Sequence, residues 1–392
     1  MLRSRFYLGF ACLFLFQSGF LKALDSEKIA EMAKSLNDAQ ARGGNSELMA
    51  QKWQALVAKG QAAVPDILNA MDAAKPLGLN WLRPALDAVL EKEKPTLKTI
   101  TALESFVKNS ANAGIARRQA FEWLQKLDEP KAKQLVPGFL TDINPDLRRD
   151  AIASEISSLK SLPKGIQVTN KGKAILKVAC DLDQVTELAK ILKTESVEVD
   201  LLKHYGFLTD WAVLGIFDNT KELGFEKAYA VEPRVDPAKT YQGKGDKPAK
   251  WFTIKTNSPE GFVDFNKLIG KKKSAIAYAW TKVESPIDQE VEIRLGCTTS
   301  LKVWLNGDGV FQRDEYHHGQ NPNQHIARCK LKKGTNDLLV KVCQNNQTEP
   351  YAQNWQLQAR FTDFAGYRAD VKQAALPMIP VAETSKDLKE TK

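Results

Sequence analysis

The chain has 392 residues, 43% hydrophobic and 26% charged, which gives room for two or three domains with cores of their own and excludes an intrinsically disordered chain. Its formal charge of +9 is spread along the sequence, and the one compact basic run, Lys271 to Lys273, has no interleaved aromatics. A nucleic-acid binder concentrates its Lys and Arg in a stripe or a known module, so nucleic acid is excluded as a partner.

Arg3 and Arg5 precede an apolar run from Phe6 to Phe16, a polar break follows at Gln17 and Ser18, and Leu21 and Ala23 precede Leu24. Residues 1–23 therefore read as a signal peptide, and the chain as secreted or periplasmic, touching membrane only through that segment. The alternative is an uncleaved anchor, for which the run is shorter than the ~20 residues a spanning helix needs. Cys12 lies inside the run and belongs to the signal. Cleavage removes Arg3, Arg5 and Lys22 and no acid, so +9 becomes +6. Cys180, Cys297, Cys329 and Cys343 remain; four cysteines allow three full pairings in an oxidising compartment, and the sequence does not choose among them.

Residues 24–160 have helical periodicity and a recurring unit. "RPAL" (Arg83–Leu86), "RQAF" (Arg118–Phe121) and "RDAI" (Arg149–Ile152) stand 35 and then 31 residues apart. Ala85, Ala120 and Ala151 are small where helices would approach closely, and the preceding arginines reach carboxylates and carbonyls of a neighbouring turn. "VPDIL" (Val64–Leu68) and "VPGFL" (Val136–Leu140) supply partner helices, with Pro65 and Pro137 in the first turn. "DINPDLRRDAI" (Asp142–Ile152), a turn, a capping Asn or Asp and then the Arg-x-Ala helix, resembles the HEAT-repeat pattern over roughly residues 51–159, which implies an α-solenoid. A non-repetitive helical bundle is the alternative.

Residues 161–204 read as a connector: "SLPKGIQVTNKGKAIL" as loop or short strand, then short helices over 183–193 and 195–203. Residues 205–366 turn to period-two alternation. Val291, Ile293, Leu295 and Cys297 share one face and Glu290, Glu292 and Arg294 the other; Leu301, Val303 and Leu305 point inward and Lys302, Trp304 and Asn306 outward. Asn306-Gly307-Asp308-Gly309 and Lys333-Gly334 supply turns. About eight strands predict an antiparallel β-sandwich, so the fold class is multi-domain α plus all-β. Trp211, Trp251, Trp280 and Trp355 read as core. Residues 367–392, polar with two prolines after Asp370, read as a disordered tail.

The order of "WAVLGIFDN", "GFEKAYAVEP", "YQGKGDKPAKW", "AYAWTKVESP", "LKVWLNG" and "LKKGTNDLLVKVCQ" between Trp211 and Gln344 resembles the galactose-binding-like jelly roll of secreted bacterial proteins. "VWLNG" is also similar to the sugar-binding domain of beta-galactosidase-type glycoside hydrolases and, more distantly, to protective-antigen-type carbohydrate-binding domains. The resemblance implies carbohydrate binding at a loop rim. Related modules tend to carry an acidic pair after the position of Gly296; here Thr298 and Thr299 stand, and two hydroxyls with the single carboxylate of Asp308 do not build a calcium cage. No metal and no cofactor are assigned.

Three of the four histidines fall in "EYHHGQNPNQH": His317, His318 and His325. Imidazoles bind zinc or copper, but adjacent histidines rarely converge on one ion and no Cys-x-x-Cys is present, so the segment reads as a polar recognition loop or a plain solvated one. Trp304 is either a stacking platform or covered by another element. Asp314 and Glu315 are adjacent rather than facing across a cleft, as glycoside hydrolysis requires, no Gly-x-Ser-x-Gly occurs, and "GKGDKP" reads as a turn; no catalytic residue is assigned. The sequence thus points to an exported non-catalytic binding or scaffolding protein whose sandwich binds a glycan or a cell-envelope protein through Thr298, Thr299, Trp304, Asn306, Asp308, His317, His318 and Gln324. The alternative is an accessory subunit or degenerate relative of a carbohydrate-active enzyme of glycoside hydrolase type.

Overall fold

A computed structural model describes residues 28–232, 234–319 and 321–380. The expected signal peptide with Cys12, and residues 381–392 of the expected tail, lie outside them. The described residues divide into two compact units on either side of a boundary between Ser157 and Ser158.

The first unit is helical: α1 (28–35), α2 (Ser46–Val57), α3 (Val64–Asp72), α4 (Pro76–Lys92), α5 (Leu97–Lys108), α6 (Gly114–Leu127), α7 (Glu129–Leu135) and most of α8 (Pro145–Lys160). Ala85, Ala120 and Ala151 are buried in one cluster with Leu82, Leu86, Phe121 and Leu124. Pro65 stands in the first turn of α3. Arg118 pairs with Glu122 at 2.8 Å and with Asp150 of the next motif. Its neighbour Arg117 is buried, grips both oxygens of Asp142 at 2.9 and 2.7 Å, and donates through Nε to the Val107 carbonyl. Asn144 caps α8 by accepting from the Leu147 N–H at 2.9 Å, as "DINPDL" predicts. "VPGFL" differs from expectation: Val136–Phe139 is a single 3-10 turn, and α7 occupies the partner position, started by Asp128 accepting from the Lys131 N–H.

The second unit opens with α9 (Ile166–Val178), α10 (Leu182–Thr194) and α11 (Leu201–Tyr205). Helix α9 corrects the expectation of loop or strand. Its β-branched residues and its glycine have poor helix propensity, but Val168, Gly172 and Ile175 recur at helical spacing and are buried. A Cβ at Gly172 would lie 2.9 Å from the Leu192 side chain, so the glycine lets α9 and α10 pack closely, and packing overrides propensity.

The strands in chain order are β1 (Asp210–Asp218), β2 (Tyr241–Gln242), β3 (Pro248–Ala249), β4 (Phe252–Lys255), β5 (Val263–Asp264), β6 (Ala275–Ser285), β7 (Gln289–Cys297), β8 (Ser300–Leu305), β9 (Asp308–Arg313), β10 (His325–Leu331), β11 (Gly334–Gln344), β12 (Gln356–Thr362) and β13 (Lys372–Gln373), with α12 (Phe265–Ile269) after β5. They build a seven-stranded sheet in the order β4-β1-β6-β11-β8-β9, with β13 beside β6, and a four-stranded sheet in the order β10-β7-β12-β5. Every pairing in both sheets is antiparallel.

The predicted alternation holds: Val291, Ile293, Leu295 and Cys297 pack with Leu301, Val303, Leu305, Trp211 and Trp355 in one cluster contributed by both sheets. The large sheet has a second apolar cover. Ile276, Tyr278 and Trp280 form another cluster with Phe225, Val231, Tyr241 and Trp251 from the excursion between β1 and β4. "GKGDKP" is the turn between β2 and β3. Asn306, Gly307 and Gly334 take the positive φ that their turns need,.

Residues 370–380 also correct an expectation, being docked rather than disordered. The Gln373 side chain accepts from the Thr209 N–H at 2.7 Å and donates to the Asp210 carbonyl at 2.9 Å, Thr253 donates its N–H to the Ile379 carbonyl, and Leu376 and Ile379 pack on the outer cluster of the large sheet. The few apolar residues of a polar stretch are enough to hold it because backbone pairing supplies the rest. Cys297, Cys329 and Cys343 are free thiols; Cys297 lies between the sheets and Cys343 in the outer cluster, and burial pushes Cys297 and Cys329 up to about 11. Among the described residues no helix is long and apolar enough to cross a membrane.

Candidate functional site

The antiparallel path of β8 separates residues that the sequence suggested as one rim. Thr298 and Thr299 precede β8, while Asn306 and Asp308 follow it, so roughly 20 Å of strand lies between them at ~3.3 Å per residue. Asn306 serves the hairpin: its Oδ1 accepts from the Asp337 N–H at 2.9 Å and its Nδ2 donates to Asn336 at 2.8 Å. Asp308 is exposed at that same turn. Trp304 belongs to neither end; it is partly buried against the outer cluster of the large sheet.

Thr298, Thr299, His317, His318 and Gln324 do share one end of the sheets. Both threonines are buried. Thr298 donates its hydroxyl to the Asn354 carbonyl at 3.1 Å, and its own carbonyl accepts the His317 N–H at 2.8 Å. Thr298 therefore ties the β7–β8 turn to the loops before β10 and β12, and neither threonine faces solvent. Ser300 holds Asp314 at 2.7 Å. Asn219 donates to the Tyr316 hydroxyl at 3.0 Å and to the Gln344 carbonyl at 3.1 Å, joining the loop after β1 to the same end.

Hydrogen bonding fixes the tautomers of the two adjacent histidines. Asn345 Oδ1 accepts from the Gln347 N–H at 3.1 Å, so it is an acceptor, and the 2.8 Å contact from His317 Nε2 must be a donated proton. His317 Nδ1 is then an acceptor. Gln324 Nε2 faces the His318 carbonyl at 3.3 Å, so it is the amide donor, and the 2.6 Å contact makes His318 Nδ1 an acceptor. His318 Nε2 then carries its proton. His317 Nδ1, His318 Nε2, Gln324 Oε1 and His325 Nε2 are all buried atoms without a hydrogen-bond partner among the described residues. Buried polar atoms are normally paired, so four in one loop mark it out.

His325 is 8% exposed at the start of β10, with ring centroids of Phe311 and His318 each 5.2 Å from its own. Burial, then the neighbouring His318 and Arg313, push its imidazole down to about 4. Tyr351, 65% exposed, stands edge-on to His317 at 6.1 Å. Arg313 hydrogen-bonds Glu315 and holds its carboxyl below the usual range. Among the described residues no three His, Cys, Asp or Glu side chains gather in metal-binding geometry; Cys329, four residues along β10 from His325, is ~13 Å away along the strand. Sequence reasoning missed Asn219, Asn345 and Tyr351. The polar run Gln344–Gln347 at the end of an apolar strand was the available signal for the second of these.

No family model matches the chain, and no curated protein matches it. Among solved structures, the beta-glucosidase from Kluyveromyces marxianus in complex with glucose shares 13% identity over 39% of this chain and 16% of its own, with a TM-score of 0.24. A selenomethionine form of the Kluyveromyces marxianus enzyme shares 11% over 78% of this chain and 38% of its own, also at 0.24. The GH31 alpha-xylosidase from Xanthomonas citri shares 12% over 38% of this chain and 16% of its own, at 0.20. The chain thus spans well under half the length of these enzymes, and a likeness at such TM-scores carries no argument about function.

Proposed function

We propose that the protein is an exported, non-catalytic binding protein, with a HEAT-like helical scaffold and a galactose-binding-like jelly roll that takes a neutral carbohydrate at the His317–His318–Gln324 end. One observation carries the reading. The unpartnered atoms there are of both hydrogen-bonding senses, His318 Nε2 a donor, His317 Nδ1 and Gln324 Oε1 acceptors, and a hydroxyl is the ligand group that gives and receives a hydrogen bond at once. A cation would find the donor hostile, and an anion the acceptors. Tyr351 supplies an exposed aromatic face beside them. These atoms are buried, so binding requires them to be uncovered. Arg313 holds the Glu315 carboxyl below its ordinary range, the opposite of the raised pKa that a general acid needs, so Glu315 is not proposed as one.

A glycan array probed with the full chain tests this. Neutral oligosaccharides are expected to be retained, and a His317→Ala/His318→Ala variant with unchanged circular dichroism to lose at least ~tenfold in affinity, since each unmade hydrogen bond is worth ~1 kcal/mol. An array without hits, together with capture of a cell-envelope protein at the same loop, would make the partner a protein instead. Hydrolysis of any polysaccharide by the purified chain would overturn the non-catalytic reading.

A further inference from the structure

Arg360 lies at the middle of β12, on the face opposite Leu357, Ala359 and Phe361, where alternation predicts solvent. It is 1% exposed. Its guanidinium carbon sits 5.1 Å from the ring centroid of Tyr205 and 5.9 Å from that of Phe207. Nε donates to Asn323 Oδ1 at 2.7 Å and Nη1 to the Tyr205 carbonyl at 3.4 Å. Nη2 has no hydrogen-bond partner among the described residues. A buried guanidinium normally has a carboxylate in its plane, since an uncompensated buried charge is costly. Here the strongest charge influence comes from another cation, Arg294, and burial with that repulsion brings Arg360 down to about 10. Arg294 has its own carboxylate, Glu292, at 2.8 Å.

The guanidinium borders a cavity of about 200 Å³ that is also lined by Lys177, His204, Tyr205 and Arg368, with no acidic side chain in its wall. His204 Nε2 is turned to the Ala179 carbonyl at 3.0 Å, and Arg368 donates to the Lys203 carbonyl at 3.0 Å. The Tyr205 hydroxyl, like Arg360 Nη2, is buried without a partner among the described residues. Asp363, the nearest acid on β12's own continuation, spends Oδ1 on the N–H groups of Ala365 and Tyr367 at 2.9 Å each.

We propose that this cavity binds a small oxyanion, an inorganic phosphate or the carboxylate of a small organic acid, between Arg360, Tyr205 and Lys177. Nη2 of the guanidinium and the phenol supply donors set by packing rather than by flexible tethers, and the lysine adds long-range attraction. The site is separate from the histidine loop and independent of the carbohydrate reading, although Asn323, which positions Arg360, belongs to the segment that leads into β10.

The full chain is titrated calorimetrically with sodium phosphate and separately with sodium acetate, and its thermal midpoint is followed in both against sodium chloride at equal ionic strength. A Tyr205→Phe/Lys177→Ala variant is measured alongside; it keeps the ring that covers Arg360 and alters one exposed lysine, so the fold is retained, as near-ultraviolet circular dichroism checks. Saturable binding of at least one anion is expected, weakened tenfold or more in the variant, with the larger response identifying phosphate or carboxylate as the ligand class. Phosphate also stabilises proteins generically by exclusion from their surface, and the variant reports that background. No binding of either anion, or equal binding by parent and variant, overturns the proposal.

Discussion

Replacing His325 with phenylalanine should make the sheet unit less sensitive to acid. The imidazole titrates near 6.5 when unfolded and is pushed down to about 4 in the fold, first by burial and then by His318 and Arg313. Between those values the unfolded chain takes up a proton that the folded chain refuses, so unfolding is favoured as pH falls. The contribution is complete above pH 6.5, shrinks below it, and is gone once pH passes the folded value. At about 1.4 kcal/mol per pH unit, moving from about pH 7 to about pH 4.5 costs roughly 2 kcal/mol through this one residue. Phenylalanine fits the same contact with Phe311, whose ring lies 32° from that of His325, and has no proton to gain. Urea unfolding at both pH values is followed by tryptophan fluorescence, to which the sheet unit contributes five of the chain's eight tryptophans, Trp211, Trp251, Trp280, Trp304 and Trp355; a change in Trp53, Trp81 or Trp123 of the helical unit is common to parent and variant and cancels in the difference. His204 is also held below its ordinary value by burial, so the comparison that counts is the difference between the two proteins and not the acid loss of either alone. The variant should lose about 2 kcal/mol less than the parent; equal losses would refute a buried neutral imidazole at this position.

Three further perturbations have signs set by geometry. Lys341 is fully buried, with Nζ 3.0 Å from Glu232 and 3.1 and 2.8 Å from the carbonyls of Phe225 and Lys227; Lys341→Ala strands the carboxylate and should cost about 3–5 kcal/mol by denaturant unfolding. Gly224→Ala places a Cβ 2.5 Å from the Asp218 carbonyl and 2.6 Å from the Ile276 side chain, neither free to retreat, so a loss of about 1–3 kcal/mol is expected in the same assay. Truncation after Ala369 removes β13 and uncovers the outer cluster where Leu376 and Ile379 pack; the thermal midpoint should fall, by an amount set by a few kcal/mol of lost burial and pairing, whereas a disordered tail would leave it unmoved.

What the sequence made legible follows from length of pattern. Strands β6, β7, β8, β11 and β12 carry enough alternation to declare themselves, and the Arg-x-Ala units declare their helices through buried Ala85, Ala120 and Ala151. The two-residue strands β2, β3, β5 and β13 hold no period at all. Helix α9 was hidden because Ile166, Val168 and Thr169 favour strand locally, and only Leu192 of α10 and Leu159, each close to the site of a Gly172 Cβ, gives the spacing its meaning. The histidine loop was legible as a cluster of chemistry. The tautomer of His317 was not, since it depends on Asn345 and Gln347, more than twenty residues away in sequence.

The division of the proposed rim has a different origin, because it was available from the strand pattern itself. A hairpin that carries Thr299 to one end of β8 must carry Asn306 to the other, whatever else the fold does. The buried charges show the complementary limit. Alternation assigns Arg360 and Lys341 to solvent, but Tyr205 and Phe207 cover the first, and the carbonyls of Phe225 and Lys227 meet the second. Each covering segment lies more than a hundred residues from the cation it hides. When both faces of a sheet are roofed in this way, period-two patterning reports which side of the strand a residue takes and no longer reports exposure. Among the described residues, the unpartnered polar atoms of His317, His318, Gln324, His325, Tyr205 and Arg360 accordingly sit at the loop ends and beneath that roof.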